Sequence, residues 1–167
     1  MLPVLLLCIG DSIREGWAEY IPCVQPHCNC QSTRFGIEHI KGLTKRKHWS
    51  AIVFNFGLWD AGDGVGIAEY KSNLERLVTQ MDADRIYFCT TTPGRPRADA
   101  KWHDEAIGRY NDAALDVMKR HNVKVIDLHA LCMRHREWWK SDADVHYTDD
   151  GYKGMAEYIK HEIVLPR

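Results

Sequence analysis

The sequence predicts an α/β protein, a three-layer α/β/α sandwich around a central, mostly parallel sheet of about five strands. Three observations predict it. Short apolar runs recur along the chain, each closed by Gly, Pro or a polar residue. Stretches with helical spacing of apolar residues separate them. The strongest runs lack the apolar–polar alternation of a sheet with one wet face, so they read as strands buried on both sides. Strands alternating with helices build a parallel sheet covered on both faces.

The elements follow in order. Pro3 to Ile9 is a continuous apolar run ended by Gly10. Tyr20 to Val24 reads as a short edge strand. Gly36 to about Lys47 places Ile37, Ile40 and Leu43 on one helical face. Ala51 to Phe56, closed by Gly57, is the second strong strand. Ala68 to Met81 repeats Tyr70, Leu74, Leu77, Val78 and Met81 at helical spacing. Arg85 to Thr91, closed by Pro93-Gly94, is the third strong strand. His103 to His121 stripes Ile107, Tyr110, Ala114, Val117 and Met118. Val123 to Asp127 is a fourth, and Asp149 to about Ile163 forms the last helix, carrying Tyr152, Met155, Ala156 and Ile159 on one side. No repeat, low-complexity segment or linker interrupts this order, so residues 1–167 read as one domain.

Composition narrows the function classes. In 167 residues, 45% hydrophobic and 27% charged, the formal net charge is −1, which gives no global pull toward nucleic acid or an anionic membrane. The cluster Lys45-Arg46-Lys47-His48 reads as a solvated helix end, where cations suit the dipole. No run approaches the roughly 20 apolar residues of a membrane span. Residues 1–9 lack a basic leader and a cleavage site, so they read as a strand and the chain as cytoplasmic, a secreted form with its leader removed staying open. Of six cysteines, Cys8 and Cys89 fall in strand-like runs. His27, Cys28 and Cys30 cluster, but no second pair stands at zinc-finger spacing, so no metal is expected.

In such a sheet, ligands bind beyond the carboxyl ends of the strands. Ser12 follows the first strand at that edge. A helix starting there offers free backbone N–H groups and positive potential to an oxyanion. The structural alternative is that Asp11 or Ser12 merely caps the helix. A serine hydroxyl needs a base to become a nucleophile. Of nine histidines, His146 is the best placed, in the polar loop Asp142-Ala-Asp-Val-His-Tyr-Thr148 before the last helix, with His129 a weaker rival.

Gly10-Asp-Ser-Ile-Arg14, Asn55-Phe-Gly-Leu-Trp-Asp60 and Asp144-Val-His-Tyr-Thr148, with Thr90 to Pro93 and Tyr110-Asn111, resemble the SGNH (GDSL-type) hydrolases over nearly the whole chain. The nearest subgroup reads GDSIR, NFGLxD and DVHxT. The resemblance implies a flavodoxin-like sandwich and a serine esterase: Ser12 attacks an acyl carbon, His146 is its base, and a carboxylate orients the imidazole. It implies no cofactor. The G-x-S-x-G elbow of the other large hydrolase group is absent.

Three positions depart from the family pattern. The family aspartate three residues before the histidine is here Ala143, flanked by Asp142 and Asp144. Asp144 is slightly preferred, with Asp142 or a backbone carbonyl as alternatives. The family's oxyanion asparagine falls at Trp59, whose indole N–H is a donor of different size and aim. Asn55 is a substitute if its strand leaves it accessible. The family's oxyanion glycine has no counterpart in Asn29 to Thr33, where Gln31 or Ser32 could lend a backbone N–H. Gln31, Gly57 and Trp59 are therefore the expected oxyanion and substrate groups. Arg14 is expected to meet an acidic substrate group or to pair with an acid such as Asp60. Trp59, Trp102, Trp138 and Trp139 are candidates for a sugar-stacking wall. The expected substrate is a small-molecule or carbohydrate ester, acetylated carbohydrate included, with no nucleic-acid or membrane partner. The competing readings are a catalytically silent relative that binds a carbohydrate or protein, and a nucleotide-binding flavodoxin-like protein, which lacks its phosphate-loop motif.

Overall fold

Four short runs of branched and aromatic residues form the strands of the computed structural model, which describes residues 5–45 and 47–163. They are β1 (Leu6–Ile9), β2 (Ala51–Phe54), β3 (Ile86–Cys89) and β4 (Lys124–Ile126). All pair in parallel in the order β1-β2-β3-β4. Every residue of β1 and β2 is buried, as a sheet covered on both faces requires. Burying each Leu, Ile, Val or Phe among them contributes about 1.5–3 kcal/mol. The expected start of the first strand at Pro3 lies outside the described residues.

The helices are α1 (Ser12–Ala18), α2 (Thr33–Leu43), α3 (Leu58–Gly62), α4 (Ile67–Gln80), α5 (Asp104–Arg120), α6 (Leu128–Arg134) and α7 (Asp149–Glu162). Helices α2, α4 and α5 pack in a row, while α1 packs with α7. The long helices match the periodic stretches. The five-residue α3 and seven-residue α6 are too short to declare a period and were not expected. Helix α2 starts three residues earlier than its apolar spacing predicts. Its first residue, Thr33, is held from outside the helix, as described below. It ends at Leu43, ahead of Lys45 in a left-handed conformation, and Lys45 and Lys47 are exposed as a solvated helix end requires.

The expected five strands become four regular ones. In place of the edge strand at Tyr20 to Val24, a single parallel bridge joins Val24 to Leu7. Val24 N–H donates to the Leu6 carbonyl at 2.8 Å, and its own carbonyl accepts from Cys8 N–H at 2.9 Å. Pro22 and Pro26 flank it, and proline brings no N–H to a ladder. This bridge still fixes the topology. The chain steps to one side of β1 at Val24, then crosses to its other side for β2, β3 and β4. The reversal at β1 marks the crevice where α/β sheets bind ligands.

No helix among the described residues is long and apolar enough to cross a membrane. No group of His, Cys, Asp and Glu among them could hold a metal ion, and Cys28 is exposed while Cys30 is buried.

Candidate active site

The turn after β1 is shaped by a glycine with a neighbour close against it. Gly10 has φ of 154°, and a Cβ there would stand 1.8 Å from Asn55 Oδ1. Next, Asp11 takes the cap: its Oδ1 accepts the Ile13 N–H at 2.9 Å and the Asn55 amide N–H at 2.9 Å. Burial raises the Asp11 carboxyl above its ordinary value, against the pull of the Asn55 and backbone donors. With the cap supplied by Asp11, Ser12 is free of that task and opens α1 at the mouth of the crevice.

Ser12 and His146 share the wall of a cavity of about 390 Å³. Ser12 Oγ lies 2.9 Å from His146 Nε2. On the far side of the ring, Nδ1 lies 2.7 Å from Asp144 Oδ1, and the same oxygen accepts the His146 backbone N–H at 2.9 Å. Those contacts, the backbone one first, hold the Asp144 carboxyl below its ordinary value. An ionised carboxylate only accepts, so Nδ1 carries the proton and Nε2 is left to accept from Ser12. The sequence left Asp142 open as the orienting acid. Its carbonyl accepts Arg97 N–H, and it borders a neighbouring cavity instead. The rival histidine, His129, is engaged by Asp104 at 2.8 Å.

Two buried arginines hold the arms that flank this relay. Of the two roles expected for Arg14, the structure shows the structural one, with Glu15 at 3.9 Å as its acid in place of Asp60. Arg14 donates to Gln25 Oε1 at 2.7 Å, to the Cys28 carbonyl at 2.7 Å, and more loosely to the carbonyls of Gly10 and Pro26. It thereby clasps residues 25–28 to the Ser12 turn, and Cys30 N–H reinforces the clasp by donating to the Gly10 carbonyl at 3.0 Å. Arg95, in the loop after β3, is fully buried and reaches the carbonyls of Pro93 at 2.6 Å and Val145 at 3.2 Å. Its guanidinium carbon lies over Trp139, 4.0 Å from the ring centre, and over Tyr147 at 4.8 Å. A bridge between Trp139 and Tyr147 completes the support of the His146 loop. Arg95 was not read as a positioning group. A lone arginine after a strand carries no sequence signal of what it will hold.

Asp60, at the end of the Asn55–Asp60 motif, holds the other end of the first arm. Its carboxylate accepts the Thr33 N–H at 3.1 Å and the Thr33 hydroxyl at 2.5 Å, which fixes the start of α2. Burial pushes Asp60 up to about 6, over the opposing pull of the Thr33 donors.

The expected oxyanion groups divide. Trp59 lines the cavity, and so does Trp102 of the sugar-wall set. Trp139 instead covers Arg95, and Trp138 packs on Gly151 and Gly154 of α7. Gly57 (φ 143°) packs against Thr91, whose hydroxyl oxygen a Cβ would meet at 2.2 Å, and it is not part of the cavity wall. Gln31 is not part of it either: its N–H is committed to Asn29 Oδ1 at 2.8 Å. Asn55 is buried against Asp11. The residue the sequence reading passed over is Asn29, which lines the cavity beside Ser12. Its signal was the spacing Asn29-x-Gln31, since asparagine favours turns in which its side chain accepts a backbone N–H two residues on.

Residues 8–153 match the family model described as the GDSL-like lipase/acylhydrolase family. No curated protein sequence matches the chain. Among solved structures, a lipase/acylhydrolase from Enterococcus faecalis superposes with a TM-score of 0.78 at 16% identity, covering 95% of this chain and 94% of that one. The acetylxylan esterase Axe2 of Geobacillus stearothermophilus gives 0.76 at 15% identity over 96% and 94%. The acetyl xylan esterase AlAXEase gives 0.73 at 15% identity over 96% and 100%. At these identities the likeness is one of fold.

Proposed function

The chain belongs to the GDSL-like lipase/acylhydrolase family, and from that premise we propose that it is a serine esterase working through a Ser12 acyl-enzyme. The observation that carries the reading is the unbroken relay Asp144 Oδ1–His146 Nδ1 (2.7 Å) and His146 Nε2–Ser12 Oγ (2.9 Å) at a cavity wall. Ser12 Oγ bonds to the acyl carbon while its proton passes to His146 Nε2, and the carbonyl electron pair moves onto oxygen. When the tetrahedral adduct collapses, the bond to the alcohol oxygen breaks and His146 returns the proton to it. Water then repeats the two steps on the acyl-enzyme. Asp144 keeps the ring in the tautomer that accepts from serine and faces the imidazolium as it forms.

The substrate proposed is a short acyl ester on a carbohydrate, acetyl foremost. Trp59 and Trp102 line the cavity beside Ser12, and aromatic side chains there suit a sugar ring. Two acetyl xylan esterases share the fold. Acetate release from an acetylated xylo-oligosaccharide and from p-nitrophenyl acetate, by wild type, Ser12→Ala and His146→Ala, tests the reading. Turnover lost in both variants is expected. Absence of turnover by wild type on a range of acyl esters overturns it in favour of a binding module. A fluorophosphonate attached to a residue other than Ser12 overturns the nucleophile.

A further inference from the structure

We propose that the side-chain amide of Asn29 is the oxyanion donor of this site. The inference rests on the esterase reading and names the group that reading leaves open, because the position where the family carries its asparagine holds Trp59.

The geometry fixes which end of Asn29 is which. Gln31 N–H can only donate, and it lies 2.8 Å from the Asn29 side chain, so the atom there is the amide oxygen. The NH2 group is therefore the free end. No acceptor for it exists among the described residues, although the side chain is half-buried in the wall it shares with Ser12 and His146. Gln31 adopts φ of 48°, a left-handed conformation that closes the turn.

The loop also meets the demand that an oxyanion donor be in place before reaction. Asn29 stands between two anchored residues. Cys28 is held at its carbonyl by Arg14 (2.7 Å), and Cys30, fully buried, at its N–H by the Gly10 carbonyl (3.0 Å). Both anchors lead to the turn that carries Ser12, so donor and nucleophile move as one piece. Two other asparagines near the strand ends are spent. Asn55 donates to Asp11, and Asn111 is paired with the backbone of Thr91. In the proposed step, the electron pair displaced onto the carbonyl oxygen by Ser12 is met by Asn29 Nδ2–H, and it returns to the carbon as the alcohol leaves.

The decisive variant is Asn29→Asp. Aspartate keeps the oxygen that accepts Gln31 N–H, so the turn survives, but it replaces the donor with a second acceptor. Hydrolysis of p-nitrophenyl acetate is measured for wild type, Asn29→Asp, Asn29→Ala and Trp59→Phe, with melting temperature for each and fluorophosphonate labelling of Ser12 in wild type. The expected result is a kcat loss of roughly 100- to 1,000-fold in both Asn29 variants with KM nearly unchanged, an unchanged melting temperature for Asn29→Asp, and a small effect of Trp59→Phe. Should Asn29→Asp stay within threefold of wild type while Asn29→Ala fails, Asn29 is a turn residue and the proposal falls. Loss in Trp59→Phe with Asn29→Asp intact assigns the donor to the indole and also overturns it. Ser12-dependent turnover and labelling in wild type keep these outcomes separate from failure of the esterase reading, which would appear as no turnover by wild type at all.

Discussion

The two arms that meet at Ser12 are held by different chemistry. On the Ser12 side, residues 25–33 are clasped by Arg14 at one end and by the Asp60 carboxyl at the other. On the His146 side, the loop rests on Arg95 and on the Trp139 and Tyr147 rings on which Arg95 lies. Arginine keeps its charge across the working pH range, whereas Asp60 sits near 6. The first arm is thus built with a titratable anchor and the second without one. The difference teaches where pH can reach the two arms: through the start of α2.

Substitutions can break the comparison, beginning with the relay both arms serve. Asp144→Asn should lower kcat by about 1,000-fold, roughly 4 kcal/mol in barrier, because an amide no longer selects the tautomer that accepts from Ser12. Steady-state hydrolysis with fluorophosphonate labelling reads it. Arg95→Met should cost about 4 kcal/mol of stability in urea unfolding and lower kcat as well. It strands the carbonyls of Pro93 and Val145 in the interior and empties the space between two rings. The loss should be independent of pH.

Asp60 should behave otherwise. Its carboxyl is raised in the fold from 3.8 to about 6, so the folded state binds the extra proton between those values and stability falls as pH rises through that window. At 1.4 kcal/mol per pH unit the fall is about 3 kcal/mol. In Asp60→Asn the fall should vanish from unfolding free energies measured at pH 4, 5, 6 and 7. A slope kept in the variant would place the titration elsewhere. Arg14→Met should cost less, about 2 kcal/mol, since two of its four hydrogen bonds are long. It should nevertheless reduce kcat, because it frees the Cys28 end of the Asn29 loop. The smallest effect belongs to the exposed pair Arg34–Glu69, which joins α2 to α4. Arg34→Ala should barely move the urea midpoint, and the shift should vanish into error at high salt.

How far the sequence foretold this arrangement depends on whether a feature is local. The strands β1, β2 and β3 and the helices α4, α5 and α7 announce themselves, because burial on two faces or on one stripe leaves a periodic record. Helices α3 and α6 leave none. The approach of Ser12 to His146 was legible because both residues follow strands or precede a helix at the same sheet edge. The tie of Asp144 to the imidazole was legible only as one option of three, since a two-residue spacing reaches the ring only if the backbone folds back on its own side chain. The partners of Arg14 and Arg95 were opaque: most of them are main-chain carbonyls, which every residue possesses. Asn29 was hidden for a related reason. Its orientation depends on the left-handed Gln31, a conformation that sequence advertises reliably only when the residue is glycine.

The lone bridge at Val24 has a consequence for how the molecule lives among copies of itself. A bare strand edge is a template on which another chain can lay down its own backbone, the first event in ordered clumping. Beside β1, only the groups facing Val24 are occupied by this bridge. Pro22 and Pro26 stand on either side of it, and neither can extend a ladder outward. The shortness of this edge therefore works as a guard: one rung, closed off by prolines, that a neighbour cannot climb. Replacing either proline with valine would be expected to raise turbidity on heating before it changed the melting temperature.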